Sequence, residues 1–126
     1  GKVLIDTMNY WEPIDGHDPE LAADPAGSSL VVQRWFDGAS VVKSLNQLGY
    51  HEFEELRRPP GSTDRVAQAV SGNEDDARTV VMRLVDRVGF DAVDAGPLHA
   101  ATPLGTGGAA FGIRLSASAL SLLLAA

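Results

Sequence analysis

The chain has 126 residues, 44% of them hydrophobic, which is enough to build the core of one globular domain. It carries 17 acidic and 10 basic residues, a formal charge of −7, so its electric field repels phosphate backbones and anionic membranes, and neither nucleic acid nor a membrane is expected as a partner. Cysteine is absent, which excludes disulfide bonds, thiolate zinc sites and thiol catalysis.

The first part of the chain predicts a strand, a long loop and a helix. Residues 3–8 form a short apolar run, typical of a strand buried on both faces of a parallel sheet. Residues 9–27 contain proline, glycine and acidic residues throughout, which indicates a surface loop. Ser28 or Ser29 can then cap a helix over residues 30–36, which we expect to stop at the Asp-Gly pair that follows.

The remaining strands alternate with helical segments. Residues 40–45, 65–70 and 90–95 are predicted strands, and residues 51–56 are one or two helical turns that end at Arg-Arg-Pro-Pro-Gly. With the first strand they form a sheet of about four strands, at least three of them parallel, with helices on its faces. This order of elements is typical of an α/β layered domain.

Two further helices are predicted from their caps and spacing. Asn73 precedes a helix whose first turn is acidic, where negative charge meets the positive end of the helix dipole. The buried face of that helix is predicted to consist of Val80, Val81, Leu84, Val85 and Val88. Ser116 is the predicted cap of a last, leucine-rich helix.

The sequence carries no membrane or export signal that we recognise. Its longest apolar run, residues 120–126, is far shorter than the stretch of about 20 residues that spans a membrane. The first strand has no apolar signal segment before it. We therefore expect a cytoplasmic protein.

Two strand-to-loop junctions are the strongest functional signal. They are VVKSLNQLGY, residues 41–50, and VDAGPL, residues 93–98. In each, an apolar strand stops at polar and small residues, and in α/β sheets ligands bind beyond the carboxyl ends of strands.

These junctions, together with KVLIDTMNYW (residues 2–11) and VSGNEDD (residues 70–76), resemble the NADPH-dependent reductases of the deazaflavin coenzyme F-420. That is a Rossmann family related to the STEAP-type oxidoreductase domain, and the resemblance covers nearly the whole chain. It implies a partial Rossmann-like three-layer sandwich with a mostly parallel sheet, and hydride transfer between NADP(H) and coenzyme F-420. In that family the first βαβ unit, with its GxGxxG motif, binds the NADP phosphates. This sequence lacks that unit, so we interpret residues 1–126 as a single domain corresponding to the distal half.

The resemblance also implies cofactor-binding residues but no catalytic side chain. Hydride transfer requires two rings held roughly 3–3.5 Å apart with water excluded, and no nucleophile from the protein. The implied cofactor-binding residues are Asn9, Tyr10, Trp11, Asn46, Gly49, Tyr50, Gly96, Pro97 and Leu98. Local roles are open alternatives: Asn46 can simply end its strand, Tyr10 and Trp11 can pack on the sheet, and Gly96 with Pro97 can shape a turn.

Other motifs are weaker. Residues 105–110 (GTGGAA) match the pattern GxGxxA, but no strand directly precedes them and no ribose-binding acid follows. Residues 51–55 (HEFEE) begin like a zinc-protease helix without its second histidine. Three arginines could hold a cofactor phosphate but have carboxylates nearby as alternative partners: Arg57, Arg58 and Arg65. A cation site is not expected in the acidic loop, whose spacing matches no calcium loop: Asp15, His17, Asp18, Glu20 and Asp24.

Three functional interpretations follow. The chain is an NADP-linked reductase half that works with an N-terminal partner chain and is inactive alone, since its first strand would otherwise leave an apolar edge unpaired. Alternatively it is a non-catalytic module for small-ligand binding or homodimerisation. In the third interpretation it is a fragment that folds but has lost its activity.

Overall fold

The computed structural model describes residues 1–126 as four strands and five α-helices. The strands are β1 (Lys2–Asp6), β2 (Ala39–Lys43), β3 (Ala67–Gly72) and β4 (Asp91–Asp94). The helices are α1 (Glu12–Asp15), α2 (Ser28–Trp35), α3 (Tyr50–Leu56), α4 (Asp75–Val88) and α5 (Ala117–Ala125), and two 3-10 turns cover Leu98–Ala100 and Thr102–Leu104. None of these helices combines the length and the apolar character needed to cross a membrane.

The four strands form one sheet in the order β1-β2-β3-β4, with helices on both faces. This confirms the α/β class and the mostly parallel sheet, because β1 pairs with β2 and β3 pairs with β4 in parallel. The pairing of β2 with β3 is antiparallel, however, so two strands run in each direction rather than at least three in one. An antiparallel neighbour needs no crossover that spans the sheet, and the connection between these strands contains only the seven-residue helix α3.

The core lies on both faces of the sheet. One cluster packs α4 and the residue just before β4 against the sheet: Val42, Leu48, Val70, Ala77, Val81, Val85 and Phe90. The other places α5 and the segment after β4 on the opposite face: Ala67, Ala69, Val93, Ala101, Leu104, Ala110 and Leu120. The prediction for the buried face of α4 was wrong at Val80 and Leu84, which are 53% and 39% exposed. Ala77, Val81 and Val85, spaced four residues apart, face the sheet instead.

Several helix ends differ from the prediction because their polar side chains make tertiary contacts. Asn73 does not cap α4: the N-cap is Glu74, and Asn73 Oδ1 accepts a hydrogen bond from the Leu98 N–H at 3.0 Å. Helix α2 begins at Ser28 after the N-cap Gly27, without a side-chain cap. Ser116 does cap α5 and accepts a hydrogen bond from the Ala119 N–H, as predicted.

Candidate functional site at the carboxyl ends of β1 and β2

A polar cleft of about 210 Å³ lies beyond the carboxyl ends of β1 and β2. Three parts of the chain enclose it: the segment after β1, the loop that leads into α2, and the turns that follow β4. Its lining is Asn9, Tyr10, Leu21, Ala22, Asp24, Pro25, Ala26, Gly27, Ser28, Ser29, Lys43, Ala101, Thr102, Gly105 and Thr106.

A buried charged cluster forms the wall of this cleft. The parallel register pairs Asp6, the last residue of β1, with Lys43, the last residue of β2. Both side chains are buried, with 4% and 5% of their surface exposed, and Lys43 Nζ lies 3.7 Å from Asp6 Oδ2. Ser29 Oγ donates to the same Oδ2 at 2.7 Å, and the Met8 N–H donates to Asp6 Oδ1 at 3.0 Å.

Lys43 is held between this carboxylate and the backbone. Its Nζ also donates to the carbonyl oxygen of Met8. Burial lowers the pKa of Lys43 below its ordinary value, and the neighbouring Asp6 carboxylate opposes that shift. The cluster therefore places a desolvated cation beside the cleft.

Asn9 and Asn46 form an interlocked pair of carboxamides. Asn46 Nδ2 donates to Asn9 Oδ1 at 3.0 Å and to the Leu104 carbonyl at 2.8 Å, while Asn9 Nδ2 donates to the Asn46 carbonyl at 2.9 Å. Gln47 Nε2 donates to Asn46 Oδ1 at 2.5 Å. Both N–H donors of Asn46 are therefore used, and its side chain is buried beneath Asn9. Asn9, half-buried, is the member of the pair that faces the cleft.

The backbone just before Asn46 is strained. Leu45 has φ = 57°, the left-handed region that non-glycine residues rarely adopt, and it is the one such residue in the chain. Its side chain packs against the cluster on the α4 face, which holds it in this conformation. This turn directs the following carboxamide toward Asn9, and strained backbone of this kind concentrates at functional sites.

An apolar hollow of about 540 Å³ adjoins the polar cleft. Its apolar walls are Trp11, Ile14 and Phe111, and it shares Asn9 and Thr106 with the cleft. Asn9 therefore stands at the boundary between a polar and an apolar cavity.

Tyr10 serves mainly to hold the neighbouring loop. Its hydroxyl donates to the Gly16 carbonyl at 2.8 Å and accepts from the Asp18 N–H at 2.8 Å. Its own carbonyl accepts from Thr106 Oγ1 at 3.2 Å. These bonds fix the acidic loop and the turn after β4 on opposite sides of the cleft.

The other predicted site residues lie elsewhere. Gly49 is the N-cap of α3, and Tyr50 is 90% exposed. The carbonyls of Gly96 and Pro97 accept hydrogen bonds from Ser71 Oγ, and Leu98 is buried in the protein interior. None of these five lines the cleft or the hollow. β2 and β3 meet at their carboxyl ends, where Val42 pairs with Gly72 and Lys43 with Ser71, so the second junction lies beside the end of β2 but outside the lining of both cavities.

The sequence interpretation missed the charged cluster. Asp6, Ser29 and Lys43 were not selected, although a signal was available: each of two neighbouring apolar strands ends on a charged residue of opposite sign, in VLID and SVVK. Two opposite charges paired at one sheet edge indicate a functional site more specifically than one charge at the end of a single strand does.

The weaker motifs take structural positions. Residues 105–110 run as turns after a 3-10 helix, not between a strand and a helix, although Gly105 and Thr106 line the cleft. Arg58 pairs with Asp64 at 3.1 Å. Arg65 pairs with the carboxylate of Asp86 at 2.7 Å and with that of Asp91 at 3.3 Å. The hydrogen bond that Arg65 donates to the Asp86 carboxylate raises the pKa of Arg65.

No protein-family model and no curated protein matches the sequence. Two solved structures are similar to it. A hypothetical protein from Sinorhizobium meliloti shares 27% sequence identity and a TM-score of 0.75 over 90% of this chain and 54% of its own. A protein of Arthrobacter sp. FB24, described as a candidate F420-dependent NADP reductase, shares 27% identity and a TM-score of 0.66 over 92% of this chain and 58% of its own.

The chain thus spans just over half the length of both proteins. It has a Rossmann-like fold related to theirs. Its similarity to the Arthrobacter protein connects it, in general terms only, with NADP-dependent oxidoreductases.

Proposed function

We propose that this chain forms the ring-facing part of an oxidoreductase that transfers hydride between NADP(H) and a deazaflavin of the F-420 type. Asn9 carries the proposal: its carboxamide stands between the polar cleft and the apolar hollow, and one N–H donor remains for a ligand after its bond to the Asn46 carbonyl. The name of the Arthrobacter protein supports the same class of reaction.

The lining of the two cavities fits ring-bearing cofactors. A nicotinamide or deazaflavin ring has flat apolar faces and an edge of carbonyl and amide groups. The faces match the walls made by Trp11, Ile14 and Phe111, and the edge matches the carboxamide of Asn9. The bound cofactors supply the hydride chemistry, and we assign to this chain the tasks of orienting rings and excluding water.

We further propose that the phosphate-binding βαβ unit lies on additional chain beside β1. The support is that β1 is the edge of the sheet and pairs only with β2. Open strand edges are normally covered or paired, because they otherwise expose hydrogen-bonding groups to other chains. This chain covers only 54% and 58% of the two similar structures, whose remaining length leaves room for such a unit.

Equilibrium dialysis with NADP and with coenzyme F-420 tests the binding site, using this chain alone and joined to a phosphate-binding βαβ half. We expect F-420 to bind, and the substitution Asn9→Ala to weaken binding about tenfold, as loss of one hydrogen bond predicts. Glu54→Gln is the matched control because Glu54 is exposed on α3, away from both cavities. Equal affinity of the wild type and the Asn9→Ala variant would remove Asn9 from the site.

A further inference from the structure

We propose that the polar cleft binds a single anionic oxygen group, a carboxylate or a phosphate, between Lys43 Nζ and the N-terminus of α2. This site is independent of hydride transfer, because it requires neither a nicotinamide nor a deazaflavin ring.

Lys43 has donors to spare in a place where water has little access. An ammonium group has three N–H donors. One is used by the Met8 carbonyl, and Asp6 Oδ2, at 3.7 Å, lies beyond hydrogen-bond distance. Two donors of a side chain that is 5% exposed therefore make no hydrogen bond within the protein, although the ammonium is ion-paired with Asp6, and Lys43 lines the cleft. An oxygen acceptor from a ligand would satisfy them.

The N-terminus of α2 opens into the same cleft. Gly27, Ser28 and Ser29 all line it, and the N-cap Gly27 has no side chain to cover the first turn. The backbone N–H groups of Ser28 and Ser29 donate to no carbonyl in the chain. Free N–H groups at the positive end of a helix dipole bind anions.

The carboxylates near the cleft are already engaged. Asp6 accepts from Ser29 Oγ and the Met8 N–H. Asp24 accepts from the Ala26 N–H at 3.0 Å and from Arg34 at 3.3 Å, and the bond from Ala26 is the main cause that lowers its pKa. Their charges are balanced by Lys43 and Arg34, so the free donors face a cleft without net negative charge. The volume of about 210 Å³ suits one carboxylate or phosphate group and little more.

Acetate and inorganic phosphate are the probes, titrated into ¹⁵N-labelled protein against sodium chloride at matched ionic strength. We expect saturable shifts of the Ser28 and Ser29 amide resonances, and the probe that binds more tightly identifies the chemistry of the natural group. The double substitution Asp6→Asn with Lys43→Met removes the cation without leaving a lone buried charge. It should weaken binding at least about tenfold, the effect of losing a charged hydrogen bond.

A second pair of variants tests the helix N-terminus without disturbing the buried charges. Ser28→Pro removes one N–H at the first helical position, where proline is well tolerated, and Ser28→Ala keeps that N–H. The proline variant should bind several-fold more weakly than the alanine variant. The proposal is overturned if chloride reproduces the shifts, if neither probe saturates, or if the two Ser28 variants bind equally. Since no nicotinamide or deazaflavin is present, none of these outcomes bears on hydride transfer.

Discussion

Asn46→Ala should destabilise the fold strongly, because Asn46 is a structural anchor beneath Asn9. Its side chain makes three hydrogen bonds, with Asn9 Oδ1, the Leu104 carbonyl and Gln47 Nε2, and it is 1% exposed. At about 1 kcal/mol for each bond, the free energy of unfolding should fall by about 2–4 kcal/mol, including the cost of unsatisfied buried partners. Urea denaturation followed by circular dichroism measures this change.

Two further variants separate anchoring from mere loss of volume. Asn46→Asp preserves the shape but cannot donate to Leu104, so it should not restore stability. Asn9→Ala removes bonds from a half-buried residue, so it should cost only about 1 kcal/mol. A loss below about 1 kcal/mol for Asn46→Ala, or full rescue by aspartate, would refute the anchoring role.

Three other substitutions test separate parts of the structure, each by urea denaturation. The Gly49 N–H donates to the Glu52 carboxylate, and this bond holds the pKa of Glu52 below its ordinary value of 4.5. The ionised carboxylate therefore stabilises the fold above pH 4.5, and this stability is lost as the pH falls through the pKa of Glu52 in the folded protein. Glu52→Gln should therefore cost about 1 kcal/mol at pH 7, with a difference from wild type that shrinks on acidification, and a pH-independent difference would contradict this. Gly89→Ala should lower the free energy of unfolding by at least about 2 kcal/mol. The φ angle of Gly89 is 119°, and the new Cβ would lie 2.6 Å from Arg57 Cβ, so an unchanged stability would contradict this geometry. Gln68→Met should raise stability by about 1 kcal/mol, because Gln68 Oε1 is buried without a partner, whereas a loss would mean that this oxygen is satisfied.

The elements were predictable because apolar periodicity and turn residues report local structure directly. Helix α4 was predicted from its acidic first turn and the spacing of its apolar residues, although its N-cap is Glu74 rather than Asn73. The direction of β3 was not predictable, because an apolar strand has the same pattern whichever way it runs. That direction decides which residues of β2 and β3 pair, and the structure pairs their carboxyl ends.

The candidate site was predictable only in part for a similar reason. Asn9 and Asn46 were identified by resemblance, and the structure brings them together. Lys43 and Asp6 were overlooked because charged residues at strand ends are most often solvated. Only the register between β1 and β2 shows that these two are buried side by side.

The most direct test of the proposed function is the absorbance of reduced nicotinamide when NADPH and oxidised coenzyme F-420 are mixed with this chain. The assay is run with the chain alone, with a phosphate-binding βαβ half alone, and with the two together. The proposal predicts NADPH oxidation only when both are present, with slower turnover for Asn9→Ala than for Glu54→Gln. Absence of turnover from folded, assembled protein would contradict the proposal.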